Sequence, residues 1–129
     1  MNRDIGNAGR GMVVIVDPHI KANESYPVFA EGMQLQGLNE SGNLSNIFVQ
    51  NADDNGTYYG ECWPGNSSWI DFLNENAQNF WGQWFAYDKF NMSNEIYNFW
   101  NDMNEPSVFN TADNSGTLPM NTLHKKRNS

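Results

Sequence analysis

An apolar, aromatic segment runs directly into two carboxylates in the sequence Phe99-Trp100-Asn101-Asp102-Met103-Asn104-Glu105-Pro106-Ser107-Val108-Phe109. Residues 96–100, which lead into it, have the aromatic and β-branched character of a short strand. Asp102 therefore lies where a strand ends, in an aromatic setting. These residues alone leave two interpretations open. One is a solvated turn after an edge strand, and the other is a site in which ring faces and carboxylates hold a ligand such as a sugar.

A second apolar run, Met12–Val16, is continuous and rich in β-branched residues, and Asp17 follows it. A run without polar interruption suits a strand buried on both faces, as in a parallel sheet. Farther along, residues 74–90 carry aromatic side chains at three- and four-residue spacing, which predicts a helix capped by Asp71 or Asn74. The order strand, helix, strand predicts an α/β fold, a βαβ unit with a parallel sheet and a right-handed crossover.

The segment between the first strand and the helix has weaker patterns. Residues 47–50 and 57–59 are short strand candidates, and Asn55-Gly56 between them is a strong hairpin turn signal. Short elements are also indicated at residues 26–29 and 34–38. We expect a small β-hairpin excursion laid across the top of a larger sheet.

Both ends of the chain read as turn-rich. Gly6, Gly9 and Gly11 predict a loop that enters the first strand. Because these glycines precede the strand, they do not form a dinucleotide-binding fingerprint. No further strand or helix is predicted after Phe109. Residues 125–129 form a basic tail, which we expect to be solvated.

Composition and charge argue against several classes of function. The 129 residues carry a net charge of −8 and offer no basic stripe to nucleic acid. Cys62 is the single cysteine and there are two histidines, which excludes an intramolecular disulfide and argues against a zinc cluster. No apolar run is long enough to span a membrane, and no signal peptide opens the chain. We therefore expect neither a metal nor a cofactor.

Trp63 precedes Pro64-Gly65, so an extended conformation at a turn is expected for it. A tryptophan in this place can be a stacking platform for a sugar ring, or it can fill the core. The residues alone leave both interpretations open.

The order of these pieces resembles glycoside hydrolase family 31, the retaining α-glucosidase family. Four segments carry the resemblance: Val14-Ile15-Val16-Asp17-Pro18-His19-Ile20-Lys21, Cys62-Trp63-Pro64-Gly65, Trp69-Ile70-Asp71-Phe72 and residues 100–109. The last is close to the active-site signature of the family. The resemblance implies that residues 1–124 are part of a (β/α)8 TIM-barrel catalytic domain, in which the two strands are consecutive, with 125–129 as a tail.

The resemblance also implies roles for individual residues. Asp102 is the nucleophile, which forms a covalent glycosyl-enzyme that water hydrolyses with retention of configuration. Glu105 supports the reaction by orienting neighbouring groups through hydrogen bonds. The substrate-binding residues that the family implies are Asp17, Trp63, Trp100, Met103 and Phe109. Trp63 is thereby favoured as a platform rather than a core residue.

A retaining glycosidase needs a second carboxyl group about 5–5.5 Å from its nucleophile. In the family this acid lies downstream of the signature, beyond residue 129, and neither Glu105 nor Asp113 occupies its position. The resemblance therefore implies a fragment of an enzyme that removes terminal α-linked glucose from oligosaccharides, carrying the nucleophile but not the acid/base. The alternative is a non-catalytic remnant or carbohydrate-binding fragment. In either case we expect the chain alone to be inactive.

Substrate, partner and compartment also follow from the resemblance alone. It implies an oligosaccharide or N-glycan substrate, a non-catalytic β subunit as partner, and the lumen of the endoplasmic reticulum as location. Six Asn-X-Ser/Thr sequons permit a secretory location without proving it, and they begin at Asn23, Asn39, Asn43, Asn55, Asn66 and Asn91.

Overall fold

The computed structural model describes residues 2–37, 46–90 and 93–124. The helices are α1 Asn2–Asn7, α2 Pro27–Gly37 and α3 Glu75–Gln83. The strands are β1 Met12–Val16, β2 His19–Lys21, β3 Gln50–Asn51, β4 Gly60–Cys62, β5 Gly65–Trp69, β6 Tyr97–Asn101 and β7 Thr122–Leu123. Some features predicted above lie outside the described residues. They are the last residue of the short element at 34–38, the sequons at Asn39, Asn43 and Asn91, and the basic tail at 125–129.

β1 and β6 are parallel neighbours, with a register that runs from Met12 opposite Tyr97 to Val16 opposite Asn101. α3 lies between them in the chain, so the predicted order of strand, helix and strand is present. The ladder continues past β6, because the Asp102 N–H donates to the Val16 carbonyl oxygen over 3.0 Å. The carboxyl ends of the two strands therefore meet at one edge.

One face of this strand pair is exposed, which contradicts the expectation of a strand buried on both faces. Val13 and Ile15 are 63% and 53% exposed, and Trp100, opposite Ile15, is 54% exposed. On the other face Phe99 packs against the rings of Phe85 and Phe90. An apolar strand is buried on both faces only where other elements pack against both faces of its sheet. The described residues cover only one face of the β1–β6 pair.

α3 begins as predicted and ends earlier than predicted. The side chain of Asn74 caps it by accepting a hydrogen bond from the Asn76 N–H over 2.9 Å. The helix stops at Gln83 rather than at residue 90, because the next three N–H groups, from Trp84 onward, bond to carbonyls three residues back. Such bonds tighten and end a helix, and Gly82 weakens it just before this point.

The excursion is larger than the predicted hairpin. The hairpin turn is present. The Asn51 N–H donates to the Gly56 carbonyl oxygen, and the Tyr58 N–H donates to the Val49 carbonyl oxygen, each over 2.8 Å. In addition, β2, β5 and β4 form an antiparallel sheet in that order, of which the sequence analysis predicted none. α2 was also missed; it begins at Pro27, where the absent N–H of proline costs nothing.

Two further predictions for the chain ends were wrong. Residues Asn2–Asn7 form α1 where a loop was expected. After Phe109, where no element was expected, β7 pairs antiparallel with β3 through Leu123 opposite Gln50. A two-residue strand carries no readable pattern of its own, because a partner distant in sequence defines it.

The buried core lies in the excursion and around α3 rather than on β1. Its larger cluster joins α2, the segment before β3 and α3, and consists of Ile20, Val28, Phe29, Ile47, Phe48, Ile70, Ala77 and Phe80. A smaller cluster of Val49, Cys62, Trp69 and Val108 joins β4 and β5 to the loop after β6. No helix in the described ranges has the length and apolar character needed to cross a membrane.

Candidate active site

Asp17 and Asp102 follow the carboxyl ends of β1 and β6. Because Val16 lies opposite Asn101, the two aspartates are the next residues along neighbouring strands. Both are partly buried, and about a third of the Asp17 side chain is exposed. Two carboxyl groups of adjacent parallel strands are thus presented at the edge where open and barrel sheets hold their ligands.

The backbone just after Asp102 is held in a demanding conformation. Met103 has a φ of 52°, in the left-handed region that costs a non-glycine residue about 1–2 kcal/mol. Its N–H donates to Asp102 Oδ1 over 3.0 Å, which orients the carboxyl group and satisfies one of its two oxygens. The other oxygen, Oδ2, is left for a different partner.

The loop from 102 to 109 is tied to the β4–β5 hairpin. The Phe109 N–H donates to the Glu61 carbonyl oxygen over 2.7 Å, and Cys62 Sγ contacts the Ser107 carbonyl oxygen at 3.4 Å. Val108 is buried in the smaller core cluster. These contacts bring Phe109 next to the tip of the hairpin.

Trp63 stands at that tip, between β4 and β5. Gly65 has a φ of 89°, which only glycine adopts freely, and this closes the tight turn that projects Trp63. The Trp63 ring packs edge-on against Phe109, with centroids 4.7 Å apart. Trp63 is 54% exposed and Phe109 37% exposed, so neither is a core residue. The core interpretation of Trp63 is therefore wrong, and two exposed rings form a surface on which a flat apolar face can stack.

His19 lies against Trp63, and the sequence analysis missed it as a site residue. Its ring stacks on Trp63 with centroids 5.3 Å apart and an interplanar angle of 26°. Its Nε2 is 3.5 Å from Asp17 Oδ2. Burial lowers the pKa of His19 below its ordinary value, although the Asp17 carboxylate opposes this. The only sequence signal was its place two residues after Asp17.

The Cys62 thiol and the Asp17 carboxyl group differ in how available they are for chemistry. Burial raises the pKa of the Cys62 thiol, and the Asp17 carboxylate adds to that rise. The Oδ1 atom of Asp17 is buried and has no hydrogen-bond partner among the described residues. Cys62 is therefore an unreactive packing residue, whereas Asp17 retains unused acceptor capacity.

Trp100 and Glu105 are not joined to this cluster. Trp100 lies on the exposed face of the strand pair opposite Ile15, and Glu105 is exposed in the turn after Met103. In the described part of the chain, neither makes a ring contact or a hydrogen bond with Trp63, Phe109 or Asp17. His19 thus contacts both Asp17 and Trp63, and Trp63 in turn contacts Phe109. Asp102 and Met103 lie at the adjoining strand end.

A pocket of about 190 Å³ is lined in part by the same loop. Asn104, Pro106, Pro18 and His124 contribute to its wall. Nearby, His124 Nδ1 is 2.8 Å from Oδ1 of Asp71, whose side chain is fully buried. Sequence reasoning missed this contact as well. No group of three or more His, Cys, Asp or Glu side chains suited to a metal ion occurs among the described residues.

Comparison with known proteins places this arrangement in a family. The family described as "Glycosyl hydrolases family 31 TIM-barrel domain" matches residues 1–128. Neutral alpha-glucosidase AB from Dictyostelium discoideum is 43% identical over 110 residues, which are 85% of this chain and 10% of that protein.

Solved structures give the same result. A glucosidase II alpha subunit in its Glc1Man2-bound form is similar with a TM-score of 0.80 and 38% identity, covering 95% of this chain and 12% of that one. An ER glucosidase II heterodimeric complex, made of the catalytic subunit and the binding domain of the regulatory subunit, is similar with a TM-score of 0.81 and 39% identity, with the same coverage. The chain spans about a tenth of the length of the curated relatives it matches. The fold is part of a TIM barrel, and the chain belongs to glycosyl hydrolase family 31.

Proposed function

We propose that this chain forms the nucleophile side of a retaining α-glucosidase active site. The observation that carries the proposal is the pairing of β1 with β6, which presents Asp17 and Asp102 side by side at one strand edge. The exposed Trp63–Phe109 ring pair supports it, because a sugar ring stacks its C–H face on such surfaces. Membership of family 31 supplies the reaction class.

In the proposed reaction, Asp102 attacks the anomeric carbon of a terminal α-linked glucose. The Met103 N–H donates to Oδ1 and so favours Oδ2 as the attacking atom. The bond from the anomeric carbon to the leaving oxygen breaks, and a covalent glycosyl-enzyme forms. Water then hydrolyses this intermediate, and two inversions give net retention. The carboxylic acid that protonates the leaving oxygen comes from outside this chain.

The remaining site residues bind the sugar in this proposal. Asp17 accepts hydrogen bonds from glucose hydroxyls through the exposed third of its side chain. Trp63 and Phe109 form the stacking surface. Met103 contributes to the pocket wall beside Asp102, and so does Trp100, which shares a strand face with Asp102 although it does not contact Trp63 or Phe109. Glu105 supports the loop by hydrogen bonding once substrate is present.

The proposed substrate is a glucose-capped N-glycan or a related oligosaccharide. The Glc1Man2-bound structure supports this class of ligand, and the heterodimeric ER complex supports a regulatory β subunit as partner and the lumen of the endoplasmic reticulum as location. Release of glucose from a glucosylated N-glycan by the complete protein, but not from the corresponding glycan without glucose, is the expected result. Cleavage of other terminal sugars at a similar rate would contradict this substrate class.

Chemical rescue of a nucleophile variant tests the reaction. In the complete protein that carries this chain, we expect Asp102→Ala to lower kcat on p-nitrophenyl α-glucoside by about 10,000-fold or more, because the covalent route is lost. Added azide should restore part of the rate and give the β-glucosyl azide, since azide enters from the face that Asp102 served. The matched control is Asp113→Asn, an exposed carboxylate farther along the same connection, which should keep wild-type kcat.

The same experiment separates the alternative function. A carbohydrate-binding remnant would bind α-glucosides in the complete protein without releasing p-nitrophenol, and Asp102→Ala would leave binding unchanged. Release that persists in Asp102→Ala without azide would remove Asp102 from the nucleophile role. An α-glucosyl azide product would contradict attack by Asp102.

A further inference from the structure

His19 contacts two residues of the proposed sugar site without being able to contact a sugar itself. Its side chain is 4% exposed, whereas Trp63 above it is 54% exposed. It lies on β2, whose pairing with β5 sets His19 opposite the buried Trp69. A group this enclosed cannot touch substrate, so any influence on the reaction must pass through its neighbours.

The contact with Trp63 is a stacked arrangement. The His19 and Trp63 ring centroids are 5.3 Å apart with an interplanar angle of 26°. The indole also packs edge-on with Phe109, at a centroid distance of 4.7 Å. Trp63 sits on a four-residue turn that leaves its side chain free to rotate in the absence of packing. His19 therefore supplies a buried surface from which the exposed indole takes its orientation.

The contact with Asp17 uses the edge of the same imidazole. Nε2 lies 3.5 Å from Asp17 Oδ2, which is longer than an N–H···O hydrogen bond but within the distance of an electrostatic contact. Burial lowers the pKa of His19, which favours the neutral ring. A neutral aromatic ring also stacks without the cost of a buried charge.

We propose that His19 is a positioning residue that holds the Trp63 indole and the Asp17 carboxyl group in one fixed arrangement. The buried His19 ring fixes the orientation of two side chains that would otherwise rotate independently. The Trp63 indole stacks on the sugar, and the Asp17 carboxyl group accepts hydrogen bonds from its hydroxyls. This role rests on the proposed function of the site in binding glucose. Because both groups contact bound substrate throughout the reaction, loss of His19 weakens substrate binding more than it slows the chemical step.

Three substitutions separate the two contacts. His19→Ala removes both the ring and its polar edge. His19→Phe keeps an aromatic ring for Trp63 and loses the contact with Asp17, and His19→Gln keeps a polar group of similar length and loses the ring. In the complete protein, His19→Ala should raise KM for p-nitrophenyl α-glucoside by about three- to tenfold, the equivalent of one aromatic contact, with kcat within about twofold of wild type. His19→Phe should recover part of that increase.

A readout that needs neither substrate nor turnover comes from Trp63 itself. In protein labelled with 5-fluorotryptophan, the ¹⁹F resonance assigned by Trp63→Phe should shift and sharpen in His19→Ala, because the indole becomes mobile. It should stay near its wild-type position in His19→Phe. His124→Ala is the matched control: it removes the other described histidine, which also contacts an aspartate but no ring, and should leave the Trp63 resonance unmoved.

Failure of the positioning role of His19 and failure of the proposed α-glucosidase function give different results. A wild-type protein that does not hydrolyse α-glucosides would refute the function, and the ¹⁹F comparison would still decide whether His19 orients Trp63. If His19→Ala is folded and both the Trp63 resonance and KM match wild type, the positioning role is overturned. Should His19→Ala fail to fold, His19→Gln carries the same comparison with the same two outcomes.

Discussion

The carboxyl group of Asp71 is fully buried, and only two groups in the described structure hydrogen-bond to it. His124 Nδ1 is 2.8 Å from Oδ1, the Leu73 N–H donates to the same oxygen over 3.2 Å, and Oδ2 has no described partner. A buried polar group that loses a partner costs far more than an exposed pair that is broken. This contact joins the residues just after β7 to the start of the α3 segment.

His124→Ala should lower the free energy of unfolding by about 2 kcal/mol, because it leaves a buried carboxyl group with one donor. Urea denaturation of the wild-type and variant proteins measures this. The control is Glu31→Gln, which breaks an ion pair of similar length, 2.9 Å to Lys89 Nζ, whose partners are about one-third exposed. It should cost less than about 1 kcal/mol. An equal loss in the free energy of unfolding for the two variants would contradict the claim that burial makes the His124–Asp71 contact the more stabilising one.

Burial of His19 predicts a dependence of stability on pH. Its pKa in the folded protein lies below the ordinary value of about 6.5, so the unfolded chain binds the proton first as pH falls. Stability from the neutral ring is therefore present above pH of about 6.5 and is lost as pH falls through the unfolded-state pKa toward the folded-state one. His19→Phe should flatten this dependence between pH 7.5 and 5, measured as the melting temperature at each pH.

Every other titratable group is common to both proteins, so the difference between wild type and His19→Phe isolates the effect of His19. A difference that stays constant from pH 7.5 to 5 would contradict the inference.

At the scale of elements, the packing of α2 depends on a close approach between its backbone at Gly32 and the Phe48 ring rather than on helix propensity. A Cβ atom added at Gly32 would lie 2.6 Å from Cζ of Phe48, and Phe48 is completely buried. Glycine inside a helix costs about 1 kcal/mol relative to alanine, so its presence here is offset by the contact it permits. Sequence patterns did not reveal α2 because this glycine and the polar residues of the helix dilute its apolar face.

Gly32→Ala should destabilise the protein by about 1–2 kcal/mol, since the strain of forcing a methyl group against Phe48 exceeds the gain in helix propensity. Thermal or urea unfolding measures the change. Gly82→Ala is the matched control, because Gly82 is an exposed glycine in α3 whose added Cβ meets nothing within 4 Å. It should stabilise by up to about 1 kcal/mol. A stabilising effect at both positions would show that α2 can shift away from Phe48.

At the scale of the whole molecule, the βαβ unit is covered on one side only within the described residues. Val13, Ile15 and Trp100 form an apolar patch on the uncovered side of β1 and β6. In a TIM barrel both faces of such strands are buried, one by the barrel interior and one by the helices. The chain taken by itself therefore presents an apolar face that its family covers.

The 129-residue chain in isolation should self-associate through this patch, as seen by light scattering after size-exclusion chromatography. Ile15→Thr should reduce the association, because it removes apolar area at the centre of the patch. The control is Leu73→Thr, a substitution at a residue 58% exposed and distant in sequence from the patch, which should leave association unchanged. A monomeric wild-type chain, or equal effects of both substitutions, would contradict this expectation. Alone, the chain should also release no p-nitrophenol from an α-glucoside.

Local sequence pattern determined the elements whose signal is contained within a few residues. The β-branched run of β1, the aromatic spacing and Asn74 cap of α3, and the Asn55-Gly56 turn each have a short-range physical cause, and the structure contains all of them. The signature around Asp102 likewise indicated the family, which the comparisons confirm. The short strands β2, β5 and β7 could not be predicted, because each exists only through a partner elsewhere in the chain.

Only the tertiary structure decided how the site is held. From the sequence, Trp63 could be a platform or a core residue, since the same turn permits both. Packing of the β4–β5 tip against Phe109 leaves Trp63 exposed, and β2 sets His19 beneath it. Contacts of this kind join side chains far apart in sequence, so no periodicity or spacing encodes them. The sequence thus predicted the carboxylates and rings of the site, and only the fold placed a buried histidine against Asp17 and Trp63.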